Sequence, residues 1–284
     1  MKKFIVVMAI LSLFQVAVAN EDLEDLLNEG RYQIEVGNYA AGKENLVTYL
    51  RKKDDPEAYI NLIRAERLAG ELSTSNSTAK KAEKKYPGDA RIVYERILTV
   101  DKLIENETKS QWRKGKYLEE YYEVYEGYLE MTGYSDSNKV FELGNRYFKD
   151  DLYEKARDVF LKDRNGDIRN LFGAATTTRF LGEYRKSAGL YTRVLNEDPD
   201  FYEAYLGRGS AYQLAGDLNK GIKDMERYLE YKKNVDVYVA IANMYMSLER
   251  YSSAKSVLER ASSNYPGSQE VRDLLVEVYS KLKR

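Results

Sequence analysis

The sequence predicts an all-α protein built from repeated pairs of helices, and three observations support that prediction. Consecutive segments of about 34 residues share one pattern, and they run over Ile168–Phe201, Tyr202–Asn234 and Val235–Ser268. Two of them carry a glycine at the central turn, Gly182 or Gly216, where a helix can end in a left-handed conformation. Hydrophobic residues make up 43% of the chain and charged residues 32%, which excludes a disordered chain or a membrane bundle.

The absence of histidine and cysteine excludes several kinds of functional site. Among 284 residues there are 0 His and 0 Cys, so Ser-His-Asp triads, His/Cys zinc sites and disulfides cannot form. The 45 basic and 46 acidic residues lack the basic excess that nucleic acid or an anionic membrane requires. Catalysis by carboxylates, Lys or Tyr stays open, but the sequence predicts no catalytic residue, no metal site and no cofactor.

Small and large residues lie where paired helices need them. Gly209 and Ala242 are small enough to let two helices approach closely, whereas Tyr205 and Tyr238 fill the space to the next unit. Pro266 follows the second helix of its segment, where proline cannot continue a helix.

With these residues the chain resembles the tetratricopeptide repeat family. The segment from Val235 matches the family pattern at Tyr238, Ala242, Tyr245, Tyr251, Ala254, Leu258, Ala261 and Pro266. The resemblance implies an α-solenoid of about seven helix pairs with a C-terminal capping helix. The expected repeats are 23–55, 56–88, 90–134, 137–167, 168–201, 202–234 and 235–268, followed by a cap helix over 269–284.

The third repeat is longer than the family period by about ten residues. Its first helix is predicted to begin near Ala90, and its turn falls only at Lys114–Tyr117. The extra residues, 104–113, include Trp112, the 1 Trp of the chain. Two interpretations stay open: longer helices, or a protruding polar loop of the kind that often lies on a binding face.

The last segment predicts a solvating cap. Its apolar residues recur at helical spacing and should cover the end of the last repeat; they are Val271, Leu274, Leu275, Val278 and Leu282.

Tyrosine is unusually common, with 26 Tyr against 8 Phe. Its ring packs well at half-buried contacts and at interfaces. Most tyrosines of the run Tyr117–Tyr128 share one helical face, which predicts either a packing face or an exposed aromatic patch. The glutamates of that run indicate a solvated face rather than a glycosidase pair.

The resemblance also implies where a partner would bind. In the family, first helices line a concave face that can hold an extended peptide or a partner helix. The matching positions here are Arg31, Asn61, Arg64, Arg67, Asn145, Phe148, Arg169, Thr176, Arg179, Ser210, Gln213 and Asn243. Asn and Gln can bond a peptide backbone and Arg can hold a carboxylate, although each residue alone could be an ordinary solvated one. The carboxylate clamp of one subclass is missing, because Val239 stands where its Lys should be.

Residues 1–19 have the layout of a secretory signal peptide. Two lysines precede the apolar stretch Phe4–Phe14, and Ala17–Ala19 forms a small-x-small cleavage site before Asn20. The stretch is shorter than the ~20 residues of a membrane-spanning helix. We therefore expect a periplasmic or secreted bacterial protein with no transmembrane segment after cleavage.

These features together predict a non-enzymatic scaffold or adaptor of the bacterial cell envelope that binds a protein or peptide in its groove. The envelope assignment rests on analogy at the level of the fold. Two alternatives stay open: a self-assembling, homo-oligomeric structural protein, and a cell-wall or carbohydrate-handling factor without catalytic activity.

Overall fold

The computed structural model describes residues 22–283, and that part of the chain is helical without a strand. The helices are α1 (22–35), α2 (Tyr39–Lys52), α3 (Pro56–Leu68), α4 (Leu72–Lys85), α5 (Ala90–Asn106), α6 (Gln111–Met131), α7 (Ser137–Lys149), α8 (Tyr153–Leu161), α9 (Ile168–Phe180), α10 (Tyr184–Glu197), α11 (Tyr202–Leu214), α12 (Leu218–Tyr231), α13 (Val235–Ser247), α14 (Tyr251–Asn264) and α15 (Gln269–Leu282). None of these described helices is both long and apolar enough to cross a bilayer. The expected signal peptide, 1–19, lies outside the described residues.

Helices alternate between two roles along the chain. From α3 to α14, each odd-numbered helix packs against the even-numbered helix that follows it, so odd helices are the first and even helices the second of each pair. The chain divides into an N-terminal unit that ends at Gly133 and a C-terminal unit that begins at Tyr134. Within the C-terminal unit α9 contacts both α7 and α11, so first helices lie side by side. The predicted all-α solenoid of helix pairs is confirmed.

Second helices bury a residue at one fixed position. This position is the eighth residue of the helix, and it is buried in every second helix except α6 of the lengthened third repeat. The residues are Leu46, Ala79, Phe160, Tyr191, Met225 and Leu258. Tyrosine rings supply further core: Tyr49, Tyr125, Tyr147 and Tyr238 are also almost fully buried. The rings of these tyrosines therefore pack between helices as part of the hydrophobic core.

The turn inside a repeat depends on a left-handed residue. Gly182 has φ 77° and Gly216 has φ 81°, a conformation that glycine adopts without a clash from Cβ. Asp151 and Glu249 take the same conformation at the equivalent turns, with φ of 57° and 56°, at a higher steric cost.

The turn of the third repeat lies earlier than the sequence predicted. Lys114–Tyr117, expected as the turn, is part of α6, and the connection between α5 and α6 spans 107–110. The extra residues 104–113 do not form a protruding loop but lengthen the two helices to 17 and 21 residues.

Side-chain caps explain the position of this turn. Glu107 accepts hydrogen bonds from the backbone N–H groups of Lys109 and Ser110, and Ser110 caps α6 through the N–H of Arg113. Gly115 misled the prediction because a solvent-facing glycine inside a helix costs only about 1 kcal/mol and need not end it.

The tyrosine run of α6 is mainly a packing face. Tyr121, Tyr122 and Tyr125 are buried, and Tyr117 and Tyr128 are half-buried. The three buried rings are not available as an exposed aromatic patch, and the rings of the run contact one another at centroid distances between 5.5 and 6.2 Å.

The cap helix α15 buries less than expected. Val271 and Val278 are buried against the last repeat, but Leu282, which we predicted on the same face, is 42% exposed. Val276 and Tyr279 are exposed as well. The helix thus covers α14 with one stripe and leaves a second apolar stripe facing outward.

Candidate partner-binding face

The predicted groove residues all lie on first helices, and most of them occupy two helix positions. Position nine is held by Arg64, Asn145, Thr176, Ser210 and Asn243, and position twelve by Arg67, Phe148, Arg179 and Gln213. Because side chains three residues apart share a helix face, these two positions form one surface in each unit. The remaining residues are Arg31 on α1, Asn61 on α3 and Arg169 on α9.

In the N-terminal unit the predicted arginines are paired with carboxylates of the next first helix. Arg31 contacts Glu57 at 3.2 Å. Arg64 donates from Nε and Nη2 to Oε1 of Glu95 at 3.1 and 2.7 Å, and Arg67 reaches the other oxygen at 2.7 Å. The Glu95 side chain is only 5% exposed, so it depends on these two cations.

These ion pairs occupy the face around a cavity of about 340 Å³. Its lining residues are Glu57, Ile60, Arg64, Ala90, Arg91, Tyr94, Glu95 and Tyr128. Arg91 also pairs with Glu57, and Asn61 donates to the carbonyl oxygen of Glu57 at 2.8 Å. This face therefore satisfies its own charges.

The C-terminal unit has a different cavity, between α7 and α9. It measures about 160 Å³ and is lined by Phe141, Asn145, Phe148, Phe160, Arg169, Phe172, Gly173, Thr176 and Thr177. The structure thus brings together four of the predicted residues: Asn145, Phe148, Arg169 and Thr176. The sequence missed Phe141, Phe160 and Phe172 as site residues, because their spacing is that of ordinary core residues.

Two glycines give the Phe160 ring its place at the bottom of this cavity. A Cβ on Gly144 of α7 would lie 2.4 Å from the ring, and one on Gly173 of α9 would lie 2.8 Å from it. Because both contacts are shorter than a carbon–carbon contact allows, any larger residue would displace the ring. The floor of the cavity is therefore the apolar edge of Phe160.

Arg169 is held at the rim by the residue that caps its own helix. It donates to both carboxylate oxygens of Asp167, at distances between 2.6 and 3.2 Å, and to Asn138 at 2.8 Å. The hydrogen bond from Arg169 lowers the pKa of Asp167, so this pair stays ionised. The guanidinium also lies 5.3 Å from the centre of the Phe141 ring.

Arg179 lies one helical turn beyond Thr176, beside a cluster of aromatic rings. Its guanidinium is 4.9 Å from the ring centre of Phe180, and its Nε is buried without a hydrogen-bond partner among the described residues. Phe180 contacts Phe148 at 5.1 Å and stacks on Tyr153 at 5.2 Å, yet it is 49% exposed. Exposed aromatic surface beside a cation is typical of a protein-binding site.

The two position-nine residues at the cavity differ in how they are satisfied. Thr176 donates to the carbonyl oxygen of Phe172 at 3.0 Å and shares a 2.9 Å hydrogen bond with the Tyr191 hydroxyl. Burial raises the pKa of Tyr191, although Thr176 and Arg179 partly oppose it, so the hydroxyl keeps its proton. The half-buried Asn145 amide makes no hydrogen bond to a described residue.

The other predicted residues lie outside the cavity. Ser210 and Gln213 on α11 are half-buried, and Asn243 on α13 is exposed. Their side chains form no hydrogen bond to a described residue, and they stay predicted contact positions.

Comparison with known proteins agrees with the fold and the repeat pattern. Residues 172–234 match one family model described as a tetratricopeptide repeat, and residues 235–267 match a second. Residues 172–267 of this chain are tetratricopeptide repeats. Proteins built from these repeats act in general as scaffolds for protein or peptide binding rather than as catalysts.

Similar proteins share the architecture at low sequence identity. The TPR repeat-containing protein YpiA of Bacillus subtilis is 26% identical over 132 residues, which is 45% of this chain but only 30% of that protein. The C-terminal part of a TPR repeat-containing protein from Cytophaga hutchinsonii superposes over 88% of this chain and 99% of its own, with 14% identity and a TM-score of 0.59. A structure of Naa15/Naa10 bound to HypK-THB matches 91% of this chain and 39% of its own, with 15% identity and a TM-score of 0.67.

Proposed function

We propose that this protein is a non-enzymatic adaptor of the bacterial cell envelope that binds a partner protein through the first helices of its C-terminal unit. The observation that carries the proposal is the α7–α9 cavity. It combines an apolar floor with the amide of Asn145, and the exposed ring of Phe180 contacts Phe148 at its wall, on the helix face where the family binds its partners.

The contrast between the two units supports this choice. On the N-terminal face the predicted arginines are already bound to Glu57 and Glu95, so a partner would have to break internal ion pairs. On the C-terminal face the aromatic rings and the Asn145 amide can contact a partner without such a cost.

The energy for binding would come from aromatic anchors. Phe148, Tyr153 and Phe180 already contact one another, so little side-chain entropy is lost when a partner covers them. Burying a ring that is half exposed contributes about 2–3 kcal/mol at roughly 25 cal/mol per Å². A few such anchors dominate most protein interfaces.

The envelope location is supported by the sequence of residues 1–19, with its lysines, apolar stretch and Ala17–Ala19 site. Fractionation of the producing bacterium and mass spectrometry of the purified protein test it. We expect the protein outside the cytoplasm with Asn20 as its first residue. A cytoplasmic protein that retains Met1 would contradict export.

Site-specific photocrosslinking tests the binding face. A photoreactive phenylalanine analogue at Phe180 or Gln213 should give one discrete adduct in living cells. The same analogue at Lys186, whose side chain is 77% exposed on the second helix α10, is the matched control. Equal adducts at all three positions, or none at Phe180 and Gln213, would contradict the proposal.

Self-assembly is the second candidate, and the outward stripe of α15 favours it. Val276 is 70% exposed, and Tyr279, three residues along the helix, is exposed beside it. Sedimentation of the mature protein separates the two functions: a concentration-dependent dimer that Val276→Glu abolishes would support self-assembly, and a monomer at all concentrations would exclude it.

A further inference from the structure

The α7–α9 cavity exists at a place that the next repeat fills with a hydroxyl group. Position eight of the second helix is Tyr191 in α10, and its hydroxyl bonds Thr176, position nine of α9. In α8 position eight is Phe160, and position nine of α7 is Asn145. The residue pairs are equivalent, but Phe160 has no hydroxyl with which to reach Asn145.

The rings also meet the following first helix in equivalent ways. A Cβ on Gly207, position six of α11, would lie 2.3 Å from Cζ of Tyr191 and 2.6 Å from its hydroxyl oxygen. At position six of α9, a Cβ on Gly173 would lie 2.8 Å from Cζ of Phe160. The tyrosine oxygen therefore occupies space between neighbouring first helices that stays open at Phe160.

The second helix that carries Phe160 is short. α8 has 9 residues and ends one residue after Phe160, whereas α10 has 14 residues and continues through Val194 and Leu195, which are buried. The loop that replaces the missing turn is fixed by Asp163, which accepts hydrogen bonds from Ser137 and Asn170 at 2.8 Å. The cavity is therefore part of an ordered structure.

A ligand of this cavity must match both an apolar surface and a polar amide group. The floor and walls are phenylalanine edges, which favour an apolar group. The Asn145 amide offers both a donor and an acceptor, which is the pairing that one main-chain amide of an extended peptide supplies. About 160 Å³ holds a leucine or phenylalanine side chain, since an apolar cavity of about 150 Å³ binds benzene.

The positive charge of Arg179 favours an acidic residue next to the apolar anchor of such a peptide. Arg179 lies one turn along α9 from Thr176 at the cavity wall; it is half-buried and forms no ion pair with a carboxylate of the described residues. Arg169, at the opposite end of the same cavity wall, is already paired with Asp167. A carboxylate is the group that completes the bonding of an arginine, so the peptide should be acidic within about one helical turn, 5.4 Å, of its anchor.

We propose that the α7–α9 cavity recognises an extended peptide segment with one large apolar side chain in the cavity, a main-chain amide on Asn145 and an acidic side chain on Arg179. This inference rests on the proposed binding function and names the chemistry of the partner. The missing hydroxyl of Phe160 is the feature that opens the site.

The neighbouring repeat supplies the design of a variant that closes the cavity. Phe160→Tyr combined with Asn145→Thr copies the bonded pair of Tyr191 and Thr176 into α7 and α8. The matched control is Lys186→Thr, which introduces the same residue on the second helix α10, outside the first-helix face. Thermal unfolding followed by circular dichroism checks that both variants keep the fold.

The probe is a library of displayed 12-residue peptides selected on the full-length mature protein. Fluorescence anisotropy then measures the affinity of individual peptides. We expect enriched peptides to pair a Leu, Phe or Met with a nearby Asp or Glu, and to lose at least tenfold in affinity for the closed variant but not for the control. Replacing the acidic residue by its amide should weaken binding to the wild type and change binding to Arg179→Gln little.

Each outcome decides one claim. Peptides that bind the wild type and the closed variant equally would overturn the cavity assignment but leave binding by the first helices intact. Enriched peptides without an acidic residue would overturn the role of Arg179. If no peptide is enriched and the crosslinks at Phe180 and Gln213 are absent as well, the binding function itself fails.

Discussion

At the scale of single residues, buried charges between the helices are stabilised by ion pairs, as Arg208 and Asp224 show. Arg208 on α11 donates from Nε and Nη2 to the two carboxylate oxygens of Asp224 on α12, at 2.7 and 2.8 Å, and from Nη1 to Thr192 at 3.1 Å. Asp224 is 5% exposed. Burial alone would lower the pKa of Arg208, but the hydrogen bonds and charge of Asp224 reverse the effect and raise it. The Arg208 guanidinium therefore joins three successive helices, α10, α11 and α12.

Removing this carboxylate should destabilise the protein strongly. Asp224→Ala leaves the Arg208 guanidinium buried without its counterion, and we expect the free energy of unfolding to fall by about 3–5 kcal/mol. Urea unfolding followed by circular dichroism measures the change. As a control, Glu105→Ala removes the exposed ion pair with Lys102 and should have little effect. Equal effects of the two substitutions would contradict the argument.

Glu66 on α3 is buried without a full set of partners. It is 4% exposed, and its Oε2 has no hydrogen-bond partner among the described residues. Burial raises the pKa of Glu66, whereas a hydrogen bond with Thr78 and the charge of Lys43 lower it less. The folded protein thus binds the proton of this carboxyl more tightly than the unfolded chain does.

The raised pKa predicts a dependence of stability on pH. Because the folded state holds this proton more tightly, the contribution of Glu66 to stability is full below its ordinary pKa of 4.5 and is lost as pH rises through the raised value. Glu66→Gln should therefore match the wild type near pH 4 and be more stable at pH 8. Urea midpoints at both pH values test this; a variant that is less stable at pH 8 would contradict it.

At the scale of helices, small residues decide how closely elements pack. Gly207 lies on α11 beside the Tyr191 ring. A Cβ at this position would lie only 2.3 Å from Cζ of that ring. Gly189 lies inside α10 with nothing within 4 Å of its would-be Cβ. Glycine thus allows close packing at α11, whereas in α10 it only lowers the stability of the helix.

Alanine substitutions at these two glycines should change stability in opposite directions. Gly207→Ala forces Tyr191 to move and should lower the free energy of unfolding by about 1–3 kcal/mol. Gly189→Ala should raise it by about 0.5–1 kcal/mol, because alanine favours the helix. Each variant is the control for the other in chemical unfolding. A gain in stability at Gly207 would show that the ring has room to shift.

At the scale of the whole molecule, stability should vary along the chain as in other repeat proteins. Helix α13 buries a near-continuous apolar surface, including Tyr238 and Ile241, whereas α15 buries only Val271 and Val278. Since each repeat contacts mainly its neighbours, the terminal helix has fewer interactions to lose when it opens.

Hydrogen exchange should therefore be graded. We expect the backbone amides of α15 to exchange faster than those of α13 in mass spectrometry of the dilute protein. The gradient should vanish at high concentration only if a second copy covers Val276 and Tyr279. Protection of α15 equal to that of α13 in the dilute monomer would contradict the prediction.

The fold could be predicted from the sequence because it depends on local and repeated features. The period of about 34 residues, Gly182 and Gly216 at turns, and Ala242 and Ala254 at close contacts each report on neighbours within one repeat. The turn at Lys114–Tyr117 was wrong because a glycine allows a turn but does not require one. In that repeat the cap residue Ser110 decides where α6 begins.

The sequence by itself determined the helices, their pairing and the first-helix positions that share one face, because these follow from periodicity within about one repeat. Only the tertiary structure decided which of those positions are available. Arg64 and Arg67 are bound to Glu95 from another helix, whereas Asn145 lies open above Phe160. Such differences depend on contacts between side chains far apart in the sequence, which no local pattern encodes.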